Sequence, residues 1–290
     1  MIINCMQISI FPSNLPLNGA NLYNTLSTYM SKTDNIVVDS LNADAALIWS
    51  VLWNGRMSLN QNVWKHYRNQ NKPVIVIEVG GLVRNKTWRL SANGITRNAI
   101  FPNVTLDPTR PNKLGITLKP WHNGDYVLIC GQHAKSQQWE NMPSMNEYYQ
   151  KTVLEIRKHS DRPIVIRSHP RYRENLFFKL DEHFFKDHNV IWNMPKHIHD
   201  TYDSFDLEPM LAHSHCTISH TSNSGLTSII EGTPAIVSQN SLAFPVATND
   251  FANINNLPTP NREQWLIETC HKEWLEDELE YAWINLRKML

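Results

Sequence analysis

The sequence predicts an α/β protein, and three observations carry that expectation. Short apolar runs recur along the chain, such as Val74-Ile75-Val76-Ile77, Tyr126-Val127-Leu128-Ile129-Cys130 and Ile164-Val165-Ile166. Their length and lack of alternation suit strands buried on both faces of a parallel sheet. The segments between them show helical spacing, as in Leu22, Leu26 and Tyr29, or Tyr149, Val153 and Ile156. Finally, most runs in the second half stop abruptly at a polar loop. Strands that alternate with helices make a doubly wound parallel sheet. In such sheets ligands gather at the carboxyl ends of the strands.

Taken in order, residues 1–10 open as a strand, and 11–19, with Pro12, Pro16 and Gly19, form a loop. A helix is predicted over 20–32, then strands at 36–38 and 46–49, a turn at Asn54-Gly55 and a helix over 59–70. The strand 74–77 leads into Glu78-Val79-Gly80-Gly81. A carboxylate at a strand end before two glycines is a candidate general base, and equally a helix-cap or ion-pair residue. Residues 82–120 lack periodicity and are expected to be an irregular excursion over the site, ending in a linker near Asn112 to Trp121.

The second half is predicted to run through a strand at 125–130 and a helix over 146–159. A strand at 163–166, a helix over 174–187, a strand at 189–192 and a short helix at 206–212 follow. Next comes the most informative stretch. Cys216-Thr217-Ile218 is a strand, and Ser219 to Gly225 is a loop of hydroxyls and amides. Leu226 to Glu231 is a helix with Leu226, Ile229 and Ile230 on one face. Gly232 and Pro234 end it before the strand Ala235-Ile236-Val237. A helix N-terminus preceded by such a loop suits a phosphate or diphosphate. It is also what ordinary N-cap residues look like.

By topology three loops are expected to converge: Gly131–Ser136, Arg167–Arg171 and Ser219–Ser224. They offer Lys135, Arg167, Arg171, His133, His169, His220 and several hydroxyls. Two guanidiniums beside a hydroxyl-rich helix start match a diphosphate.

Composition excludes several classes. The 290 residues contain 27 basic and 27 acidic side chains, so the whole chain is no polyanion trap. Residues 81–120 nevertheless carry seven basic residues against Asp107 alone. That stretch is a candidate face for an anionic acceptor, or a solvated loop. No run of about 18 apolar residues exists, so no membrane span is expected. Nor does the start of the sequence read as a signal peptide. The four cysteines, Cys5, Cys130, Cys216 and Cys270, form no C-x-x-C pair, and a reduced, cytoplasmic protein is the simplest inference. Neither a G-x-G-x-x-G nor a P-loop motif occurs, which argues against a dinucleotide dehydrogenase and a P-loop NTPase. G-x-S-x-G is absent as well, so a serine nucleophile is weakly supported. The clustered His213, His215 and His220 lack acidic partners at ligand spacing, and no metal site is expected.

The segments Ile166-Arg167-Ser168-His169-Pro170-Arg171, Ser219-His220-Thr221-Ser222-Asn223-Ser224-Gly225 and Glu231-Gly232-Thr233-Pro234-Ala235-Ile236 resemble a known pattern. They look like the nucleotide-sugar domain of GT-B glycosyltransferases, most of all the capsule-polysaccharide-synthesis type, over roughly residues 121–250. The stretch from Val74 to Asn98 and the loop from Cys130 to Trp139 are similar to glycosyltransferase-like proteins of tailed phages.

The resemblance implies two facing Rossmann-like domains with a deep cleft. These would be an acceptor-side domain over 1–118, a nucleotide-sugar domain over 119–262, and a terminal helix over 263–290 packing back on the first. It implies a metal-independent glycosyltransferase with no cofactor beyond its donor, a UDP-sugar. Carried over, Ser222, Asn223 and Ser224 hold the donor diphosphate, Arg167 or Arg171 neutralises the departing group, and Glu231 stands where a ribose-binding carboxylate is often found. Gly131, Gln132, Lys135, His169, Ser219 and Thr221 complete the expected donor site. Glu78, with His133 in reserve, is the expected base. Arg84, Lys86, Trp88, Arg89 and Arg97 are the expected acceptor contacts, with the hydroxymethyl group of a modified pyrimidine in phage DNA as the leading acceptor. The alternatives are a capsular or lipid-linked glycan acceptor, a sugar-nucleotide epimerase, and a non-catalytic nucleotide- or glycan-binding protein. The protein is expected to be a monomer or weak dimer in the cytoplasm, the host cytoplasm if phage-encoded.

Overall fold

In the computed structural model, residues 4–16, 19–171, 182–201 and 204–290 are described. The chain forms two units. Unit 1 holds residues 1–114, 135–138 and 267–290; unit 2 holds 115–134 and 139–266.

Unit 1 is built from β1 (Gln7–Ile10), α1 (Ala20–Met30), β2 (Asn35–Val38), β3 (Ala45–Trp49), α2 (Asn60–Asn69), β4 (Val74–Val79), β5 (Trp88–Ala92) and α3 (Arg110–Lys113). The sheet order is β2-β1-β3-β4-β5. All neighbours are parallel except β5, which runs antiparallel to β4. The apolar run Val74–Ile77 is fully buried because both faces of the sheet are covered. One face packs Leu22, Tyr23, Leu26 and Met30 of α1 on Ile8, Leu47, Ile75 and Ile77. The other packs Val63, Trp64 and Tyr67 of α2 on Ala46, Ile48, Val74 and Val76.

The antiparallel β5 corrects the expectation of an irregular excursion. Trp88-Arg89-Leu90-Ser91-Ala92 pairs with Ile75–Val79. Its strand character is hidden in the sequence because it places a buried arginine and a buried serine in an edge strand.

Unit 2 continues with β6 (Tyr126–Cys130), α4 (Met145–Arg157), β7 (Ile164–Arg167), α5 (Glu182–Asp187), β8 (Val190–Asn193), α6 (Glu208–Leu211), β9 (Ser214–Ser219), α7 (Asn223–Ile230) and β10 (Ala235–Val237). Its sheet order is β10-β9-β6-β7-β8, parallel throughout. The order reverses between β6 and β9, the switch point of a doubly wound sheet. Val127, Ile129, Ile166, Cys216 and Ile218 face Tyr149, Val153 and Ile156 of α4. Thr217 and Ser219 face α7 instead: Ser228 Oγ donates to Thr217 Oγ1 at 2.7 Å, and Gly225 backs onto Ser219 Oγ. α4 begins with a capping box, Ser144 with Glu147. Of the helix expected over 174–187, α5 gives the end; residues 174–181 lie outside the described residues, as do residues 1–3 of the expected opening strand.

The expected terminal helix is two helices, α8 (Glu263–Cys270) and α9 (Leu279–Arg287). Between them the chain extends so that Trp274 exchanges backbone hydrogen bonds with Trp88 at 2.8 Å each way. Within unit 1, Leu279, Ala282, Trp283 and Leu286 of α9 join the core beside α1. The strip Lys135–Gln138 also belongs to unit 1, whereas the sequence placed Lys135 with the donor loops of the second domain. It lies along Val51–Trp53, with Trp53 N–H donating to Lys135 O at 2.7 Å and Gln137 N–H to Val51 O at 2.9 Å. Among the described residues, no helix is long and apolar enough to cross a membrane.

Candidate functional site

The strand ends of unit 2 bring three polar loops together through contacts specific to their sequence. Gly131 N–H donates to Arg167 O at 2.8 Å, which ties the loop after β6 to the end of β7. Any side chain at Gly131 would meet Tyr149, whose hydroxyl would lie 2.0 Å from an added Cβ. Gln132 braces the loop after β6 to the loop after β9. Its Oε1 accepts from Thr221 N–H at 3.1 Å and its Nε2 donates to Thr221 Oγ1 at 3.1 Å. Both residues are buried, so the brace is shielded from water. His133 sits edge-on to His169, with ring centroids 5.4 Å apart. His169 Nδ1 accepts from Arg171 N–H at 3.2 Å, so the N–H of a neutral His169 ring lies on Nε2.

The loop after β9 delivers Ser222 as the N-cap of α7, its Oγ accepting from Ser224 N–H at 3.3 Å. Asn223 opens the helix, and its carbonyl accepts from Thr227 Oγ1 at 3.1 Å. Ser219 is 2% exposed and its Oγ has no hydrogen-bond partner among the described residues. Such a buried hydroxyl is uncommon and calls for an explanation. Ser224 stands beside the Cys130 thiol, which burial pushes up to about 11. His220 leaves this group: it turns to the α4 side, edge-on to Trp139 at 5.5 Å. There it borders a groove of about 300 Å³ with Tyr148, Thr152, Ile236 and Phe251.

Two expected donor-site contacts in unit 2 are already engaged, Arg167 and Glu231. Arg167 is 4% exposed and donates to Asp206 Oδ1 at 2.7 Å and to Asn193 Oδ1 at 2.5 Å. Burial pushes the Asp206 carboxyl up, but Arg167 and the Lys196 N–H outweigh it and leave the group below its ordinary value. This guanidinium is therefore a clasp between β7, β8 and the segment before α6. The expected ribose contact, Glu231, lies at the C-terminal end of α7 and pairs with Lys119, away from the helix start. Arg171 is exposed.

In unit 1 the notable group is Glu78 at the end of β4. Ser50 Oγ donates to its Oε2 at 2.6 Å, Val51 N–H reaches the same oxygen at 3.4 Å, and Val79 N–H donates to Oε1 at 3.0 Å. Burial pushes the carboxyl above its ordinary value; the Ser50 hydroxyl, the two N–H groups and the Arg89 charge oppose this without cancelling it. A half-buried carboxyl poised above the usual range has the protonation behaviour a general base needs.

Arg89 lies opposite Glu78 in the β4–β5 register, yet it donates to Glu273 Oε1 at 2.6 Å. Glu273 is fully buried and also accepts from Gly81 N–H, Leu82 N–H and Thr87 Oγ1 at 2.8, 3.0 and 2.7 Å. This corrects the expectation that Arg89 contacts an acceptor: it is 2% exposed and held in the core. Trp88 is half-buried against Trp49, centroids 5.6 Å apart. Of the five expected acceptor contacts, only Arg84, Lys86 and Arg97 are exposed.

Sequence reasoning missed Ser50, and placed Ser136 only as the end of the Gly131–Ser136 loop. Ser136 bridges to Leu52 in unit 1 and is 7% exposed, and its Oγ has no partner among the described residues. Neither serine belongs to a motif; the pairing of distant segments brings Ser50 to Glu78 at the end of β4 and Ser136 to Leu52. Among the described residues, no group of three or more His, Cys, Asp or Glu is arranged to hold a metal ion.

No protein-family model matches the chain, and no curated protein matches it. Among solved structures, the chain is similar to KpsC of Thermosulfurimonas dismutans, beta Kdo 2,4 transferase, with a TM-score of 0.53 and 13% identity over 96% of this chain and 98% of that one. The beta Kdo 2,7 transferase of KpsC from the same organism follows with a TM-score of 0.48 and 11% identity, over 97% and 99%. The likeness to the first is one of fold, a mixed α/β architecture with parallel sheets shared over nearly the whole length. It gives no support to a phage-type protein, a DNA acceptor or a UDP donor.

Proposed function

We propose that the protein is a GT-B-type glycosyltransferase that moves a sugar from a nucleotide-sugar donor to a hydroxyl of a glycan of the capsular kind. The observation that carries this is the full-length fold likeness to a Kdo transferase, which makes Kdo the first sugar to test. The sequence pattern after β7 and β9 agrees with it. The glycan reading takes precedence over the DNA reading, because Arg89 is in the core and Trp88 is packed on Trp49.

In this proposal unit 2 holds the donor phosphates with the N–H groups at the start of α7 and the hydroxyls of Ser219, Ser222 and Ser224. These are neutral donors fixed in advance, which stabilise a departing phosphate without having to reorient. The Gln132–Thr221 brace keeps them in place. Glu78 is the base. As the acceptor oxygen bonds to the anomeric carbon, its proton passes to the Glu78 carboxylate. The bond from that carbon to the donor phosphate oxygen breaks, and its electron pair leaves with the nucleotide.

The test is incubation with nucleotide-activated sugars, activated Kdo among them, and either capsular oligosaccharides or hydroxymethylated DNA, followed by mass analysis. A sugar added to the oligosaccharide supports the proposal. Mass gained by DNA alone would restore the DNA reading. Free nucleotide with an altered sugar and no acceptor would make the protein an epimerase, and binding without turnover would make it a binding module.

A further inference from the structure

Eight described residues other than glycine have a left-handed backbone, and seven of them are Asn or Asp, which tolerate it. The eighth is Ser50, with φ of 62° and 3% exposure. It follows β3 directly and its N–H donates to Ile77 O at 2.8 Å. Its hydroxyl has two duties: it accepts from Leu52 N–H at 3.0 Å and donates to Glu78 Oε2 at 2.6 Å. The turn is fixed from outside as well, because the Lys135–Gln138 strip hydrogen-bonds to Val51 and Trp53 on its far side. A serine kept in a conformation that glycine or asparagine would adopt more easily points to a use for its hydroxyl.

We propose that Ser50 is a positioning residue for Glu78, held in a strained turn so that its hydroxyl anchors one carboxylate oxygen and leaves the other to take a proton. The inference rests on Glu78 acting as the base. Among the described residues, Oε2 receives Ser50 and Val51, while Oε1 receives Val79 and keeps the freer lone pair. The hydroxyl also favours the ionised carboxylate against the burial that disfavours it. The charged residue that acts on Glu78 from a neighbouring element is Arg89 on β5, with Glu273 beside it. Arg89 is tied to Glu273, so Ser50 is the side chain that hydrogen-bonds Glu78 directly.

The decisive variant is Ser50→Gly, because glycine takes this backbone without strain while removing the hydroxymethyl side chain that bonds Glu78 and Leu52. The carboxyl carbons of labelled Glu are followed by NMR against pH, with Glu78→Gln assigning the signal. In Ser50→Gly the Glu78 midpoint moves up by about one pH unit while the protein stays folded. Ser50→Asn, which accepts the same backbone and supplies an amide donor, moves it back toward wild type. In the transfer assay the acid limb of the rate profile follows the same displacement. A Glu78 midpoint in Ser50→Gly equal to that of wild type overturns the proposal. The titration needs no substrate, so a wild-type protein that transfers nothing would defeat the base reading separately.

Discussion

The strand ends of unit 1 and unit 2 differ in which charge is left uncompensated. At the end of β4, Arg89 is placed across from Glu78 but gives its guanidinium to Glu273. A carboxylate remains with hydrogen-bond donors and, among the described residues, no cation in contact, and burial pushes it above its ordinary value. At the end of β7, Arg167 is the cation in place, and Asp206 takes it. What remains at the β6 and β9 ends is a set of neutral donors and hydroxyls, braced by Gln132 and Thr221. In both units the nearest ionic partner is occupied by a residue distant in sequence. The lesson is that a charged residue at a strand end is not thereby a ligand contact; its other partners decide.

The comparison breaks most sharply at Glu273. Replacing it with Ala strands Arg89 in the core and removes the acceptor for Gly81, Leu82 and Thr87. A loss of about 3–5 kcal/mol in unfolding free energy is expected from denaturant titration. A loss under about 1 kcal/mol would mean that Arg89 finds another partner, with Glu78 the first candidate.

Next in size is Arg167→Ala, which leaves Asn193 Oδ1 without the guanidinium and Asp206 with the Lys196 N–H in its place. Asp206 is partly solvated, so the expected cost is about 1–3 kcal/mol of stability. The affinity of folded protein for a nucleoside diphosphate changes little. A weakening of that affinity by about 1.5 kcal/mol or more at unchanged stability would return Arg167 to the donor site.

Glu78→Gln tests the uncompensated carboxylate directly. Its pKa in the folded chain is raised above the unfolded value, so its contribution is full below the unfolded pKa and is lost as pH rises through the folded one. The glutamine variant therefore gains stability over wild type as pH rises from the ordinary carboxylate range. The gain is about 1.4 kcal/mol for every tenfold difference in acidity between the folded and unfolded carboxyl. Transfer is abolished in the same variant. Equal stability of the two proteins across that range would show that burial leaves Glu78 unperturbed.

The smallest effect is expected at Lys119→Ala. Its pair with Glu231 is exposed on the lysine side, and a surface pair contributes about 0–1 kcal/mol. Nucleotide binding is unchanged, because Glu231 is at the far end of α7 from Ser222. A clear loss of binding would restore the ribose role of Glu231.

Much of the fold was legible. Val74–Ile77, Tyr126–Cys130 and Ile164–Ile166 are strands because a continuous apolar run of that length must be covered on both faces. Gly232 and Pro234 stop α7 where the sequence ended it, and Gly232 takes φ of 87°, which glycine adopts freely. The loops after β6, β7 and β9 met as expected because strand order in a doubly wound sheet places consecutive ends side by side. β5 was not legible, since its buried Arg89 breaks the apolar pattern and is acceptable only because Glu273 lies against it. The break between α8 and α9 was hidden as well, because the extended segment between them is set by Trp274 pairing with the distant Trp88.

Local sequence alone placed most strands and helices, though not β5 or the α8–α9 break, and showed which residue types stand at the strand ends. Those are short-range matters of apolar periodicity and capping. Only the tertiary structure decided which of those residues are committed. Glu273 reaches Arg89 across 184 positions, and the strip after β6 crosses to lie along Val51–Trp53. Partners so distant are selected by the packing of whole elements, because a buried charge or hydroxyl must find whatever complement the fold brings within hydrogen-bond reach.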